Sequence, residues 1–529
     1  MTTGATWDVE LADEPPGSPR PAPGESPPRR VPHLRRPWWQ WLAGVTVAVA
    51  VAARFVAGSN LWLDEALTVN IARLPLSEIP EALRHDGSPP LYYVLLHWWM
   101  QIFGDGTLAV RALSGVFSVA ALPLMWQAGI RLGGRRVAAA GVVLLATSPF
   151  AVQYATEARM YSLVTLLTLA GGLALSQLMD RPSRRSSVAL AAVTGALLLT
   201  HYWAIWLLGS VGILLVVLAV TGTNRSGALR ALVALGAGAV LFLPWVPIVL
   251  YQAQHTGAPW GRPPLIFRAV HDTMAIFARG YKDSGPVPVL LLEALVVLGL
   301  LGRGLDRGRI ELSLRGRERA RALGFVTFGA LVLGLGVGKV TGEAYAHRYA
   351  AVVLAGVVLL AALGTVVFLD GRVRRGVIAL VAGLGLVGMV PIARHERTQA
   401  PVVAASLRAA AGPGDVVAYC PDQLGPSLSR LLPSELDQVT FPRGDRPEFV
   451  DWVDYGENNR AASPASFALE LAARAGGGDI WLVWAPGYAT FGTKCERLAQ
   501  ALTTARPGRQ VVKRPSRYPE RMGLIRYPA

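Results

Sequence analysis

The sequence predicts an all-α polytopic membrane protein that ends in a small α/β domain. Three observations predict this class: 52% of the 529 residues are hydrophobic, only 16% are charged, and the apolar residues fall in long uninterrupted stretches. A soluble chain of this length needs more polar residues to cover its surface. We therefore divide the chain into a disordered cytoplasmic tail (1–36), a transmembrane region (37–393) and an extracytoplasmic C-terminal α/β domain (394–529).

The first segment is rich in Pro, Gly, Arg and acidic residues and lacks a compact apolar stretch, which predicts a disordered tail and excludes a signal peptide. The formal net charge of +16 would suggest a nucleic-acid partner in a soluble chain. Here the arginines fall in clusters between apolar stretches, and no basic stripe with interleaved aromatic residues is present. We therefore expect no nucleic-acid partner.

Apolar stretches of membrane-spanning length predict about eleven transmembrane helices, since about 20 residues cross the hydrocarbon core. The apolar run over residues 188–220 would be about 50 Å long as one helix, which is too long for one crossing. We expect it to turn near His201, Tyr202 and Trp203. The predicted spans are residues 38–57, 108–131, 137–155, 160–179, 188–203, 204–221, 229–250, 287–302, 322–338, 346–369 and 376–393.

Arginine clusters set the predicted orientation, because cytoplasmic loops carry an excess of Lys and Arg. Placing these clusters inside makes this a multi-pass protein of the cell membrane with a cytoplasmic N-terminus. The connections that then face outward are residues 58–107, 150–159, 200–203, 251–286 and 339–347, together with the chain after residue 394. The inner clusters lie within residues 29–36, 135–136, 181–185, 225–230, 303–321 and 372–375.

Two interfacial helices are predicted in the first outer loop. Residues 89–100 are apolar and aromatic but short, and counting them as a crossing would invert every later arginine cluster. Tyr and Trp favour the membrane interface, so we place this segment there. A second short helix is predicted over residues 76–83, starting at Ser77.

The chain after residue 394 alternates helical and strand-like runs, which predicts a small α/β domain. Cys420 and Cys495 both lie in it, and an oxidising exterior permits a disulfide, but the spacing leaves pairing open. No Cys or His residues have the spacing of metal ligands. The runs cover residues 404–411, 415–420, 424–432, 466–475, 479–484, 494–504 and 521–527.

Unusual polar residues gather at the predicted outer ends of the helices. Lys and Arg can snorkel to the headgroups, but Asp and Glu are too short to do so, and each charge beside an apolar segment invites a functional hypothesis. A carboxylate can act as general base towards a hydroxyl, and a guanidinium can clamp a phosphate. A hydroxyl that attacks a sugar on a lipid phosphate needs both, with Asp64 as base and Arg159 or Arg348 at the phosphate. The set comprises Asp64, Glu65, His85, Asp86, Glu157, Arg159, His201, Glu343, His347 and Arg348.

Five short motifs, in this order, resemble the family 39 type of GT-C membrane glycosyltransferases. These are relatives of the protein O-mannosyltransferases and of the aminoarabinose transferases of lipid A. The resemblance is clear over residues 40–250 and weaker to about residue 370. The motifs are WLDEA (62–66), HDGSPPLYY (85–93), TEARMY (156–161), THY (200–202) and AHRY (346–349).

The resemblance implies a polyprenyl-phosphate monosaccharide donor, used on the outer face by an inverting single displacement. It assigns the catalytic base to Asp64, with Glu65 supporting the acceptor or the geometry. Tyr92 is alternatively an interface anchor, and His201 alternatively caps a turn. The substrate-binding residues that it implies are His85, Asp86, Tyr92, Glu157, Arg159, His201, Arg348 and Tyr349.

The chain also departs from the relatives. No β-trefoil-sized insertion is present, so the acceptor stays open between a cell-envelope glycan, a glycolipid and a protein. His347 stands where relatives often have Pro. No cofactor or metal site is predicted, although oxygen ligands from Asp64, Glu65 and Asp86 leave a divalent cation open.

Two other classes of function are alternatives. The many helices and intramembrane glycines suit a lipid-linked sugar flippase or transporter. Transporters usually show internal repeats and ionisable groups near the bilayer midplane, whereas this sequence shows no repeat and places its charges at one edge. An inactive scaffold that presents the C-terminal domain to envelope proteins is the third class.

Overall fold

Helices make up most of the structure, a computed structural model that describes residues 38–257, 265–280, 285–315, 317–342, 345–515 and 517–529. The predicted disordered tail (1–36) and Glu343 lie outside the described residues. We define residues 394–529 as the C-terminal α/β region. The α-helices that start before this region are α1 Trp38–Ala53, α2 Leu63–Arg73, α3 Ile79–Asp86, α4 Leu91–Phe103, α5 Thr107–Gly133, α6 Arg135–Ala146, α7 Pro149–Ala155, α8 Tyr161–Asp180, α9 Arg184–Leu198, α10 Ala204–Val220, α11 Arg225–Val240, α12 Val246–His255, α13 Ile266–Arg279, α14 Val287–Leu301, α15 Glu318–Thr341, α16 Ala351–Thr365 and α17 Gly371–Arg394.

Several of these helices are long and apolar enough to cross a membrane. Five described stretches meet this condition, namely α5, α8, α15, α17 and His347–Thr365, and the number rises to seven if the bent pairs α6 with α7 and α11 with α12 each form one span. The remaining predicted spans correspond to helices of 15 to 17 residues. The structure therefore supports a membrane protein, while the count of eleven spans stays a prediction.

The apolar run over residues 188–220 turns where the sequence predicted. Helix α9 ends at Leu198 and α10 begins at Ala204, so the turn contains His201. In the first outer loop α4 confirms the short aromatic helix. The predicted start of the other interfacial helix at Ser77 was wrong, because α3 begins at Ile79 and has Pro80 in its first turn, a position that proline favours.

Helix α16 is the centre of the helical region. All fifteen of its residues are buried, and it packs against α6, α8, α14 and α15. At the contact with α14, a Cβ atom on Gly364 would lie 2.0 Å from the Leu295 carbonyl oxygen, so only glycine permits this approach. Close packing through small residues is the usual way in which membrane helices associate. It fixes the 3₁₀ turn His347–Ala350, which leads into α16 and carries Arg348.

Short strands lie in two places. A small hairpin, β1 Gly302–Gly304 with β2 Ile310–Leu312, follows α14. The C-terminal α/β region contains a five-stranded sheet in the order β4-β3-β5-β7-β6, in which β3 runs parallel to β4 and β5, and β7 runs antiparallel to β5 and β6. These strands are β3 Val416–Cys420, β4 Asp437–Thr440, β5 Ile480–Trp484, β6 Arg509–Val512 and β7 Gly523–Tyr527.

Both faces of this sheet are covered, which explains why the inner strands β3 and β5 are apolar. Along β3, Val416, Ala418 and Cys420 point into one core, and Val417 and Tyr419 point into the other. The first core is completed by α21 and α22, and the second by α18 and α19. The α-helices of this region are α18 Ala400–Ala410, α19 Gly425–Ser429, α20 Tyr455–Ala461, α21 Pro464–Ala475 and α22 Lys494–Ala505.

Each predicted helical or strand-like run of this region overlaps an observed element, whereas β4, β6 and α20 were not predicted. Cys420 and Cys495 form a disulfide, which the sequence had left open. Residues 43–529 form one compact unit. The domain boundary between residues 393 and 394 stays a prediction.

Asp422 makes the stability of the C-terminal α/β region depend on pH. Its buried carboxyl oxygen accepts hydrogen bonds from the Tyr455 hydroxyl at 2.5 Å and from the Gln423 amide at 2.9 Å. Burial raises the pKa of Asp422 to about 7. Between about pH 4 and pH 7 the folded state therefore holds a proton that the unfolded state has released, and stability falls as the pH rises through this window.

We predict that Asp422→Asn, which is neutral at every pH, removes part of this decline. The free energy of unfolding of the wild type relative to Asp422→Asn should fall by at most about 4 kcal/mol from pH 4 to pH 7. Unfolding of the detergent-solubilised protein, measured at a series of pH values, checks this. Equal pH slopes for the two proteins would contradict it.

Candidate active site at helix α2

Asp64 lies in the first turn of α2, where the helix dipole favours an acidic side chain. One of its carboxylate oxygens is 3.2 Å from Nη1 of Arg348. The side chains of Asp64 and Arg348 are 18% and 27% exposed, so this pair is neither sealed in the core nor fully solvated. The structure thus joins two predicted site residues that are far apart in the sequence.

Arg159 lies on the same part of α2. Its Nη1 donates to the Thr68 hydroxyl at 2.8 Å and to the Asp64 carbonyl oxygen at 3.5 Å. Thr68 in turn donates to the same carbonyl oxygen at 2.7 Å. Two guanidinium groups, from Arg159 and Arg348, therefore adjoin the residue predicted to be the base.

Both arginines keep unused hydrogen-bond donors. Among the side chains that the structure describes, Nε of Arg159 and Nε of Arg348 are buried without a hydrogen-bond partner, as is Nδ1 of His347. Buried polar groups are normally hydrogen-bonded. A guanidinium presents five N–H donors and is always charged, so these atoms suit the oxygens of an anionic ligand.

Aromatic rings form one side of this site. The His201 ring centroid is 5.6 Å from that of Tyr161 and 5.6 Å from that of Tyr349. Nδ1 of His201 also accepts a hydrogen bond from the Trp203 amide at 3.1 Å, which caps the turn between α9 and α10. His201 therefore caps the turn. Its ring also forms part of the aromatic wall, next to Tyr349, the residue that follows Arg348 in the sequence.

Glu65, the neighbour of Asp64, is fully buried and forms an ion pair. Its two oxygens accept from Nε and Nη2 of Arg111 at 2.7 and 2.6 Å, and one of them also accepts from the Ala158 amide at 3.0 Å. Arg397 lies 3.6 Å away. Burial by itself raises the pKa of Glu65, but Arg111, Arg397 and the Ala158 amide hold it below its usual value. This carboxylate therefore fixes α2 in place through Arg111.

Glu157 belongs to the same buried network. It accepts from the Gln153 amide at 2.5 Å and lies 3.7 Å from Arg397, which also donates to Thr156. Glu157 and Arg159 therefore have different partners, because Glu157 joins the network around Glu65 whereas Arg159 donates to Thr68. The sequence did not predict Arg111 or Arg397. Arg111 could have been singled out from the sequence, because it is a charged residue inside a predicted apolar span.

The remaining predicted site residues lie on α3 and α4, and they form hydrogen bonds with other partners. His85 pairs with Asp451 at 2.9 Å, and Asp86 accepts from the Tyr93 hydroxyl at 2.9 Å. Burial raises the pKa of Asp86, and the Arg159 guanidinium opposes this shift. Tyr92 is fully buried and shares a hydrogen bond of 2.8 Å with Ser114, which donates to the Arg159 carbonyl oxygen.

Within the described ranges, no group of three or more His, Cys, Asp or Glu side chains could hold a metal ion. Glu65, which the sequence left open as a cation ligand with Asp64 and Asp86, is turned towards Arg111.

The fold is that of the GT-C membrane glycosyltransferases, and its site holds a carboxylate, Asp64, paired with Arg348, while Arg159 contacts the Asp64 carbonyl oxygen. The chain matches the crystal structure of ArnT from Cupriavidus metallidurans in the apo state with a TM-score of 0.61 and 14% identity, over 93% of this chain and 98% of that one. It matches the same protein bound to undecaprenyl phosphate with a TM-score of 0.61 and 15% identity, over 92% and 98% of the two chains.

Residues 87–251 match the family model described as dolichyl-phosphate-mannose-protein mannosyltransferase, which is less than half of the chain. No curated protein sequence matches significantly. At these identities the structural likeness shows the fold alone. Together with the family model, it confirms the resemblance to GT-C glycosyltransferases of the family 39 type that the five motifs predicted.

We predict that Arg111→Ala destabilises the protein strongly, because it leaves the buried Glu65 carboxylate without its main partner. Breaking a buried ion pair on one side costs about 3–5 kcal/mol. The control is Arg73→Ala, which breaks the exposed ion pair with Asp105 and should cost no more than about 1 kcal/mol. Thermal unfolding of both purified variants checks this, and equal losses would contradict the role of Arg111.

Proposed function

We propose that the protein is a glycosyltransferase that moves one monosaccharide from a polyprenyl-phosphate sugar to an acceptor hydroxyl on the outer face of the cell membrane. The observation that carries the proposal is the Asp64 carboxylate, 3.2 Å from Arg348, with the Arg159 guanidinium in contact with the Asp64 carbonyl oxygen. The likeness to an ArnT structure bound to undecaprenyl phosphate supports a polyprenyl carrier. The acceptor is a hydroxyl of a cell-envelope glycan, a glycolipid or a protein.

Asp64 acts as general base. It takes the proton of the acceptor hydroxyl as that oxygen attacks the anomeric carbon of the sugar. The bond from this carbon to the phosphate oxygen breaks on the opposite side, and its electron pair stays on the phosphate. The products are an inverted glycoside, polyprenyl phosphate and a proton on Asp64.

Arg348 and Arg159 stabilise the departing phosphate. Charge develops on the phosphate oxygens in the transition state, and fixed cationic donors are most effective where charge develops. The unpartnered Nε groups of both arginines offer the hydrogen bonds. Because Arg348 also contacts Asp64, the base and the departing phosphate lie next to the same guanidinium.

The other site residues shape and hold this centre. Tyr349 and His201 form the wall beside Arg348, while Glu65 and Glu157 fix α2 and the turn before Arg159 through Arg111 and Arg397. His85, Asp86 and Tyr92 hold the first outer loop around the site. In this proposal the N-terminus is cytoplasmic, and residues 394–529 lie outside the membrane.

Asp64→Asn should abolish transfer while the protein stays folded, because the amide cannot accept the proton. We expect the rate constant for transfer to fall by roughly a hundredfold or more. The assay incubates purified protein with a panel of radiolabelled polyprenyl-phosphate sugars and an envelope extract as acceptor, and it follows which product becomes labelled.

The matched control is Asp105→Asn, which changes an exposed carboxylate in the same outer loop and should leave the transfer rate unchanged. Undiminished transfer by Asp64→Asn would overturn the catalytic role. Movement of labelled lipid across vesicle membranes by the wild type, without any glycosylated product, would favour the flippase alternative.

A further inference from the structure

The C-terminal α/β region holds α2 at both of its ends. At the first residue of the helix, the Leu63 amide donates to a carboxyl oxygen of Glu520 at 3.1 Å. Near the other end, Asn70 donates to the Glu448 carbonyl oxygen at 2.8 Å and accepts from Arg430 at 2.9 Å. The helix that carries Asp64 is therefore clamped by residues that lie several hundred positions later.

Glu520 supplies a contact that α2 lacks locally. The first amides of a helix have no carbonyl partner within it, and a side chain at the N-cap usually satisfies one of them. Here the N-cap is Trp62, which makes no capping hydrogen bond with its side chain. The Glu520 carboxyl takes this role for the amide of Leu63, the residue directly before Asp64.

The Glu520 side chain is only 5% exposed, and its backbone is fixed as well. The Glu520 amide donates to the Arg397 carbonyl oxygen, and the Gln399 amide donates to the Glu520 carbonyl oxygen, both at 3.0 Å. Arg397 in turn reaches Thr156 and lies near Glu65 and Glu157. One short segment of chain thus links Glu520 to the buried ion network on the other side of α2.

Burial raises the pKa of Glu520 to about 8, so its neutral form predominates at neutral pH. A neutral carboxyl can accept the Leu63 hydrogen bond without placing a second negative charge beside Asp64. A glutamine at this position has the same shape and the same acceptor oxygen.

We propose that Glu520 is a positioning residue for Asp64, which fixes the first turn of α2 so that the Asp64 carboxylate points at the reacting hydroxyl and at Arg348. This inference rests on the proposed function of Asp64. It also gives the C-terminal α/β region a direct part in transfer, through the capping of one helix. Small misplacements of a reacting group can slow a reaction by up to about a hundredfold.

The test compares Glu520→Ala with Glu520→Gln in the full-length protein. We expect Glu520→Ala to lower kcat by between about tenfold and about a hundredfold with little change in KM for the labelled donor. Glu520→Gln should keep a kcat within about twofold of the wild type, because it restores the acceptor oxygen.

The matched control is Asp422→Ala, which removes another buried carboxyl of the same region that contacts Tyr455 and Gln423 instead of α2. It should lower thermal stability but leave the kcat of the folded protein unchanged. Equal losses of kcat in Glu520→Ala and Asp422→Ala would mean that the loss comes from general destabilisation, and would overturn the proposal. A wild-type kcat in Glu520→Ala would overturn it as well.

A second pair of variants removes the same hydrogen bond from the other side, in case Glu520→Ala does not fold. Leu63→Pro deletes the amide at a helix position where proline is well tolerated, and Leu63→Ala keeps it. We expect the kcat of Leu63→Pro to fall about tenfold or more below that of Leu63→Ala. Equal kcat values for the two would overturn the proposal.

Hydrogen exchange separates this inference from the proposed function, because it needs no substrate. Amides at the start of α2 should exchange faster in Glu520→Ala than in the wild type or Asp422→Ala, and wild-type exchange there would overturn the contact's role. If the wild type transfers none of the labelled sugars, the proposed function fails. Faster exchange in Glu520→Ala would then still support the cap, and the catalytic part of the inference would fall with the function.

Discussion

The buried ion pair between Glu65 and Arg111 is the interaction on which the rest of the site depends. It removes a carboxylate and a guanidinium from water, which is costly unless the geometry is good, and here both oxygens of Glu65 and two nitrogens of Arg111 are used. The pair ties α2 to α5, and the Ala158 amide and Arg397 extend it to the turn before Arg159. Because α2 is fixed in this way, Asp64 can face Arg348.

The two adjacent acids of α2 therefore have different tasks. Successive residues of a helix point about 100° apart, since there are 3.6 residues per turn, so Asp64 and Glu65 lie on different faces. Glu65 is fully buried and holds structure, while Asp64 is partly exposed and free for chemistry. The same division separates Glu157, which joins the buried network, from Arg159, which adjoins Asp64. In our account structural charges surround the reactive ones and fix their positions.

The sequence was informative where a signal is local. Apolar run length and motif order predicted the turn at His201, the alternation of the C-terminal α/β region and the grouping of Asp64 with Arg159 and Arg348. It failed for contact residues that stand in none of the five motifs: Glu520 contacts a residue 457 positions earlier, and Arg397 contacts Thr156 over 241 positions. Asp64 and Arg348 are also remote from each other, but each belongs to a motif. Arg111 was recognisable as a charge inside an apolar stretch, but its partner was not, and Ser77 was misread as the start of a helix that begins at Ile79.

The central claim is that Asp64 opens to the outer face of the membrane, and thiol labelling tests it most directly. Cys420 and Cys495 are the only two cysteines of the chain and form a disulfide, so Asp64→Cys introduces a single free thiol. A membrane-impermeant maleimide should label this thiol in intact cells. The thiol of Arg307→Cys, in the hairpin predicted to be cytoplasmic, should be labelled only after permeabilisation. Labelling of Asp64→Cys only after permeabilisation would contradict the account.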